Sequence, residues 1–143
     1  MLQLLHIENI AVIERADIEL DKGLTVLSGE TGAGKSIVID SIGALLGKRV
    51  SRDLVRSGAQ KGFVSAVFTD LPRALRELLD ELALSGDEPD TLYVQRQISA
   101  DGKSTCRVNM KPASAAVLRQ LAPLAERTVK QVKFLDRTYN VMP

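Results

Sequence analysis

The feature that most constrains this chain is the run Gly29-Glu30-Thr31-Gly32-Ala33-Gly34-Lys35-Ser36. It fits the pattern G-x-x-x-x-G-K-[ST], a phosphate-binding loop or P-loop. At ordinary residue usage, a chain this short matches by chance roughly once in two hundred. The flanks suit the motif. Leu24 to Leu27 is a short apolar run that reads as a buried strand, and Ile37 to Leu46 reads as a buried helix stopped by Gly47. Strand, glycine loop and helix is the order that the motif requires.

The chemistry follows from the residue types. Glycines let the backbone curl so that successive N–H groups point inward, and the helix N-terminus behind them adds a favourable dipole for phosphate oxygens. Gly29, Glu30, Thr31, Gly32, Ala33 and Gly34 are therefore the expected cradle for ATP. Lys35 is the candidate catalytic residue, reaching the β- and γ-phosphates, and the Ser36 hydroxyl is the expected Mg2+ ligand.

Composition removes several alternatives. Aromatic residues make up 3% of the 143 residues, so the core is aliphatic and an aromatic platform for stacking single-stranded bases is not expected. Formal net charge is +1, which provides no strong overall field toward DNA or anionic lipid. Cys106 is the single cysteine, so no disulfide forms within the chain and a reducing compartment is expected; the residue itself reads as a small filler on a strand. No apolar run is long enough to span a membrane and no leader pattern is visible, so the expected location is the cytoplasm.

Along the chain, Leu2 to Asn9 reads as a strand, and Ala16, Ile18 and Leu20 alternate with acids as a half-buried strand. Asp21-Lys22-Gly23 is the expected turn into the P-loop strand. His6 is the single histidine and reads as a solvent-facing strand residue without a metal site. Residues 47–60 read as a loop with Lys48, Arg49, Arg52 and Arg56, which is either a solvated face or a source of a phosphate-sensing arginine. Phe63 to Phe68 is a further strand. Asp70 is expected to cap a helix with Pro72 in its first turn and Leu75, Leu78, Leu79 and Leu82 on its apolar face. Leu92 to Ile98 and Thr105 to Val108 form a hairpin through Asp101-Gly102. Ser114 is expected to cap a last helix that Pro123 ends.

Hydrolysis of a nucleotide usually needs an acid at the end of an apolar strand. Leu78-Leu79-Asp80-Glu81 imitates that arrangement, but its leucines follow helical spacing. Asp87-Glu88 follows Ser85-Gly86 rather than an apolar strand. The residues thus describe a nucleotide-binding half of a larger machine. Two further readings remain open: a non-hydrolysing, nucleotide-dependent scaffolding module, and a small-molecule kinase, for which neither an acceptor site nor a lid is visible.

Leu5 to Ile13, followed by Gly23 to Ser36, closely resembles the start of the RecN family of bacterial DNA repair proteins. So do Ala44 to Arg49, Asp53 to Gly58, and the hairpin from Gln95 to Pro112 with Arg96, Ile98, Asp101-Gly102 and Val108-Asn109. The resemblance covers roughly residues 1–122. RecN is an SMC-like family of the ABC ATPase class. The resemblance implies an α/β fold: the N-terminal lobe of an ATPase head, with a mixed sheet and an antiparallel β-subdomain, in residues 1–125. It implies ATP and Mg2+ as cofactors, held by Lys35 and Ser36, with Arg49 and Arg56 at the nucleotide or at a head interface. In the complete protein it implies ATP-driven head engagement and hydrolysis, repair of DNA double-strand breaks, homodimerisation through heads or coiled-coil ends, contact with DNA, no membrane, and a place at the nucleoid. The C-terminal half of the head is the partner this lobe is expected to need. Two departures stand out. Asn109-Met110 replaces the family's Asn-Gly, and residues 126–143 match nothing in the family pattern and read as a tail of divergent or foreign origin, or a truncation.

Overall fold

The computed structural model describes residues 2–19, 25–27, 32–129, 132–134 and 137–138. Alternation in the strands dictates the main sheet. Strands β1 (Leu2–Ile10) and β2 (Ile13–Glu19) form a hairpin, and β4 (Lys61–Phe68), β5 (Leu92–Ser99), β6 (Ser104–Val108) and β7 (Lys111–Ala113) extend it. The order is β2-β1-β4-β5-β6-β7, and every neighbouring pair is antiparallel. Between the first two and the last four lie β3 (Thr25–Leu27) and helix α1 (Gly32–Leu45). Helix α2 (Arg73–Glu81) joins β4 to β5, and α3 (Ala115–Val129) follows β7.

Register places one apolar row after another on the inner face. Leu5, Ala66, Val94 and Val108 are cross-strand neighbours, and all four are buried. α1 packs on this face against β4 and β5, while α2 and α3 pack against each other. The C-terminal half of α1 is buried on nearly every side, from Ser41 through Leu46. Its apolar residues join a continuous core with Leu75, Leu79, Leu118 and Leu121.

A second sheet holds β3, with β8 (Val132–Phe134) and β9 (Arg137–Thr138). β3 pairs with β8 in parallel, Thr25 opposite Val132, and β8 pairs with β9 antiparallel. The unmatched C-terminal segment therefore supplies the strand beside the P-loop strand. The sequence offered no sign of this, because the pairing is set by chain path rather than by a turn signal. The expected turn at residues 21–23 lies outside the described residues.

Several local expectations are corrected. Asp70 does not cap α2: it sits at φ 53, and Pro72 occupies the N-cap position with no side-chain cap hydrogen bond. The Pro72 carbonyl accepts from the N–H groups of Leu75 at 3.0 Å and Arg76 at 3.1 Å, and Arg73 and Ala74 in the first turn are exposed to water. Pro123 does not end α3, which continues to Val129. Pro123 is exposed, so the carbonyl one turn back is left on the water side rather than orphaned in the core. The loop at 47–60 contains a single 3-10 turn, Arg52–Leu54, capped by Ser51, and Val55 bridges to Ile10. Ser114 does cap α3, with its Oγ accepting from the Val117 N–H at 3.2 Å.

Candidate functional site

The P-loop helix starts at Gly32, inside the glycine motif and five residues before the Ile37 expected from the apolar run. α1 begins at Gly32, so Gly32, Ala33, Gly34 and Lys35 form its first turn, with no acidic residue there to compete for an anion. The first N–H groups of a helix have no partner inside it and point outward with the positive end of the dipole. Gly29, Glu30 and Thr31 lie outside the described residues, as do the side chains of Gly32 to Lys35. Ser36 is exposed one turn into the helix, whereas Ile37 and Val38 beside it are buried. A helix N-terminus with no acid in its first turn, and an exposed Ser36, suit a phosphate with a divalent ion.

At its other end α1 is closed with care. Gly47 adopts φ 89, its N–H reaches the Ala44 carbonyl at 3.2 Å, and the Lys48 N–H reaches the Gly43 carbonyl at 3.0 Å. This pair of bonds is a Schellman stop. Ser41, wholly buried, returns its hydroxyl to the Ile37 carbonyl at 2.7 Å. Arg96 from β5 and Arg119 from α3 then reach the same corner. Arg96 Nη1 donates to the carbonyls of Ala44 at 2.8 Å and Lys48 at 2.7 Å, and Arg119 Nη1 donates to that of Gly47 at 2.9 Å.

The two arginines expected from sequence to serve the nucleotide separate in space. Arg49 is exposed and lines a cleft of about 390 Å3 along α1 with Asp40, Lys48 and Asp53. Arg56 is partly buried, outside that cleft's lining, and its backbone N–H bonds the Asn9 carbonyl at 2.8 Å. Asp80 and Glu81 are exposed on α2, and Asp87 and Glu88 lie in the loop after it, so neither pair ends a strand.

His6 is less simple than a solvent-facing residue. On the outer face of β1, its ring bonds Asp17 of β2 through Nδ1 and Glu8 at 2.8 Å through Nε2. Partial burial alone would lower its pKa, but the two carboxylates outweigh it and raise the value above that of an ordinary histidine. The bond from His6 in turn holds Asp17 below the usual carboxylate range. Cys106 is buried, as expected of a filler, and that burial pushes its thiol up. Among the described residues no group of His, Cys, Asp and Glu is placed to hold a metal ion, and no helix is long and apolar enough to cross a membrane.

What sequence reading did not assign is Arg96. A signal was present: in the alternation Leu92, Val94, Arg96, Ile98 it occupies an apolar register.

A family model described as an AAA domain matches residues 4–122. The DNA repair protein RecN of Bacillus subtilis is 44% identical over 126 residues, covering 87% of this chain and 22% of that protein. RecN of Haemophilus influenzae is 40% identical over 124 residues, covering 85% of this chain and 22% of that protein. The chain thus spans about a fifth of the length of these relatives. Among solved structures, an Smc head bound to the C-terminal winged-helix domain of ScpA superposes with a TM-score of 0.68 at 21% identity, covering 87% of this chain and 40% of that one. This likeness establishes the fold: an α/β lobe rich in antiparallel sheet, as in an SMC-type ATPase head. With the P-loop helix, the sheet and the matched segments on one contiguous stretch, the chain belongs to the AAA domain family, and its relatives within it include the DNA repair proteins RecN.

Proposed function

We propose that this chain is the ATP-binding lobe of a RecN-like DNA repair protein, with residues 1–125 forming the lobe proper. The observation that carries the reading is the start of α1: a glycine-rich first turn free of acids, on the helix that follows β3 in the chain, in a chain of this family. Gly29 to Gly34 receive the phosphates on backbone N–H groups. Lys35 neutralises charge on the β- and γ-phosphates, and the Ser36 hydroxyl faces the divalent ion. Mg2+, when bound, would be held by the Ser36 hydroxyl and would supply positive charge against the phosphate oxygens. Arg49 reaches the nucleotide or a facing head from the cleft beside α1, and Arg56 does so from the β1 side. The acidic pairs lie on exposed positions away from strand ends, which supports binding without efficient hydrolysis by this chain alone. In the complete protein the lobe pairs with the rest of its head, two heads engage over ATP, and hydrolysis serves DNA break repair at the nucleoid in the cytoplasm.

The test is titration with a fluorescent ATP analogue in the presence of Mg2+. Lys35→Ala is expected to weaken binding by roughly one to two orders of magnitude, as befits the loss of a charged hydrogen bond. Undiminished affinity in that variant defeats the reading.

A further inference from the structure

Arg96 is a buried charge in an apolar row. Register aligns Ala16, Ile7, Val64, Arg96, Cys106 and Ala113 across the six strands of the main sheet. Arg96 is the sole charged member of that row and is only 4% exposed. A guanidinium is costly to bury, and this one has no carboxylate among its hydrogen-bond acceptors. It is offset instead by the negative end of α1. One nitrogen, Nη1, spans the Ala44 and Lys48 carbonyls at 2.8 and 2.7 Å, while Nη2 reaches Ser104 Oγ at 3.3 Å and Nε is left without a partner.

The geometry has two consequences for the P-loop. α1 is a rigid helix of 14 residues, about 20 Å long at 1.5 Å per residue. A fixed position at its C-terminal end sets where the N-terminal N–H groups stand. Lys48 is also the root of the segment carrying Arg49 and Arg56, so one side chain holds both the helix and that segment to the sheet. We infer that Arg96 is a positioning residue for phosphate binding, acting through α1 from the end opposite the P-loop. The inference rests on the nucleotide reading above.

The experiment compares the wild-type 143-residue chain with Arg96→Met, Arg96→Lys and Lys35→Ala. Three quantities are measured: thermal melting by circular dichroism, amide exchange without nucleotide, and affinity for the fluorescent ATP analogue with Mg2+. Methionine suits the apolar row, but it leaves the Ala44 and Lys48 carbonyls without the guanidinium, and a buried acceptor without a partner costs about 1–3 kcal/mol. The expected result for Arg96→Met is a lowered melting temperature, faster exchange at the Gly47 and Lys48 amides, and an affinity of the folded fraction lowered about tenfold. Arg96→Lys, with a smaller donor group, is expected to fall between the two. A purely structural role would lower the melting temperature just as much and leave the folded fraction binding as before. A folded Arg96→Met that binds like wild type overturns the inference; should that variant not fold, a folded Arg96→Lys with wild-type affinity overturns it. Failure of the wild type to bind, or equal binding by Lys35→Ala, defeats the nucleotide reading. In that case, unchanged exchange at Gly47 and Lys48 in the Arg96 variants overturns the positioning role as well.

Discussion

His6 joins β1 to β2 by holding two carboxylates, Asp17 and Glu8, on one imidazole. Its pKa is raised, so the stabilisation is complete below about pH 6.5 and is lost as pH rises through the higher folded value. Asp17 is lowered, so its share is present above about pH 3.9 and is lost as pH falls through the folded value. The difference in melting temperature between wild type and His6→Gln is therefore expected to be largest at about pH 5 to 6 and to shrink toward about pH 8.5. A difference that does not vary with pH would contradict the bridge. Met110 carries a different strain. It sits at φ 69 and is 64% exposed in the turn between β6 and β7, next to Asn109 at φ 49. A left-handed conformation costs a residue with a Cβ about 1–2 kcal/mol, and glycine returns part of that gain as unfolded-state entropy. Met110→Gly is expected to raise stability by about 0.5–1 kcal/mol, measured by urea unfolding. A loss of stability there would show that the turn is not strained.

At the level of elements, the α1 corner is the most tightly specified junction. A Cβ on Gly47 would meet Arg119 Cγ at 2.6 Å and the Ala115 carbonyl oxygen at 2.7 Å, besides forcing a side chain into φ 89. Strain and overpacking together place the cost of Gly47→Ala at roughly 2–4 kcal/mol. A cost below about 0.5 kcal/mol, the range of an ordinary surface change, would mean that α3 does not press on this corner. Helix α2 depends on burial rather than capping. Leu75 is 0% exposed and Leu79 is buried, while Leu78 and Leu82 are half-buried. Leu75→Ala is expected to cost about 2–5 kcal/mol, and Leu78→Ala less, in the same unfolding measurement. These periodic faces were legible in the sequence because helical spacing and alternation mark which side is wet. The start of α2 and the length of α3 were not, because tertiary packing overrides the local preferences of Asp70 and Pro123.

The whole molecule has two sheets of different character. The main one is closed over α1 by antiparallel pairing, and the smaller one carries the P-loop strand between β8 and an edge that pairs with no other described strand. An unpaired strand edge is a template for another chain. The chain is expected to self-associate or to melt at modest temperature, and sedimentation across a concentration series checks this. A clean monomer with a high melting temperature would count against it. Among the described residues the exposed large hydrophobics are Val12 and Met110, at 80% and 64%. The edge of β3, rather than a broad apolar patch on the main sheet, is the place where association is expected.

The strand and helix that flank the glycine motif, the Asp101-Gly102 hairpin and the buried face of α2 were readable from residue order alone. Each is written in a local pattern: fixed spacing, alternation, or a residue suited to a turn. The position of Arg96 at the end of α1, 52 residues away along the chain, was not readable, nor was the pairing of β8 with β3. A hydrogen bond between distant segments leaves no periodic trace, since a guanidinium reads as a surface charge until the fold shows which carbonyls it meets. The sequence thus specified most strands of the main sheet and the presence of its helices. The fold decided which side chains hold that loop in place, because only packing brings the far end of α1 against β5 and α3.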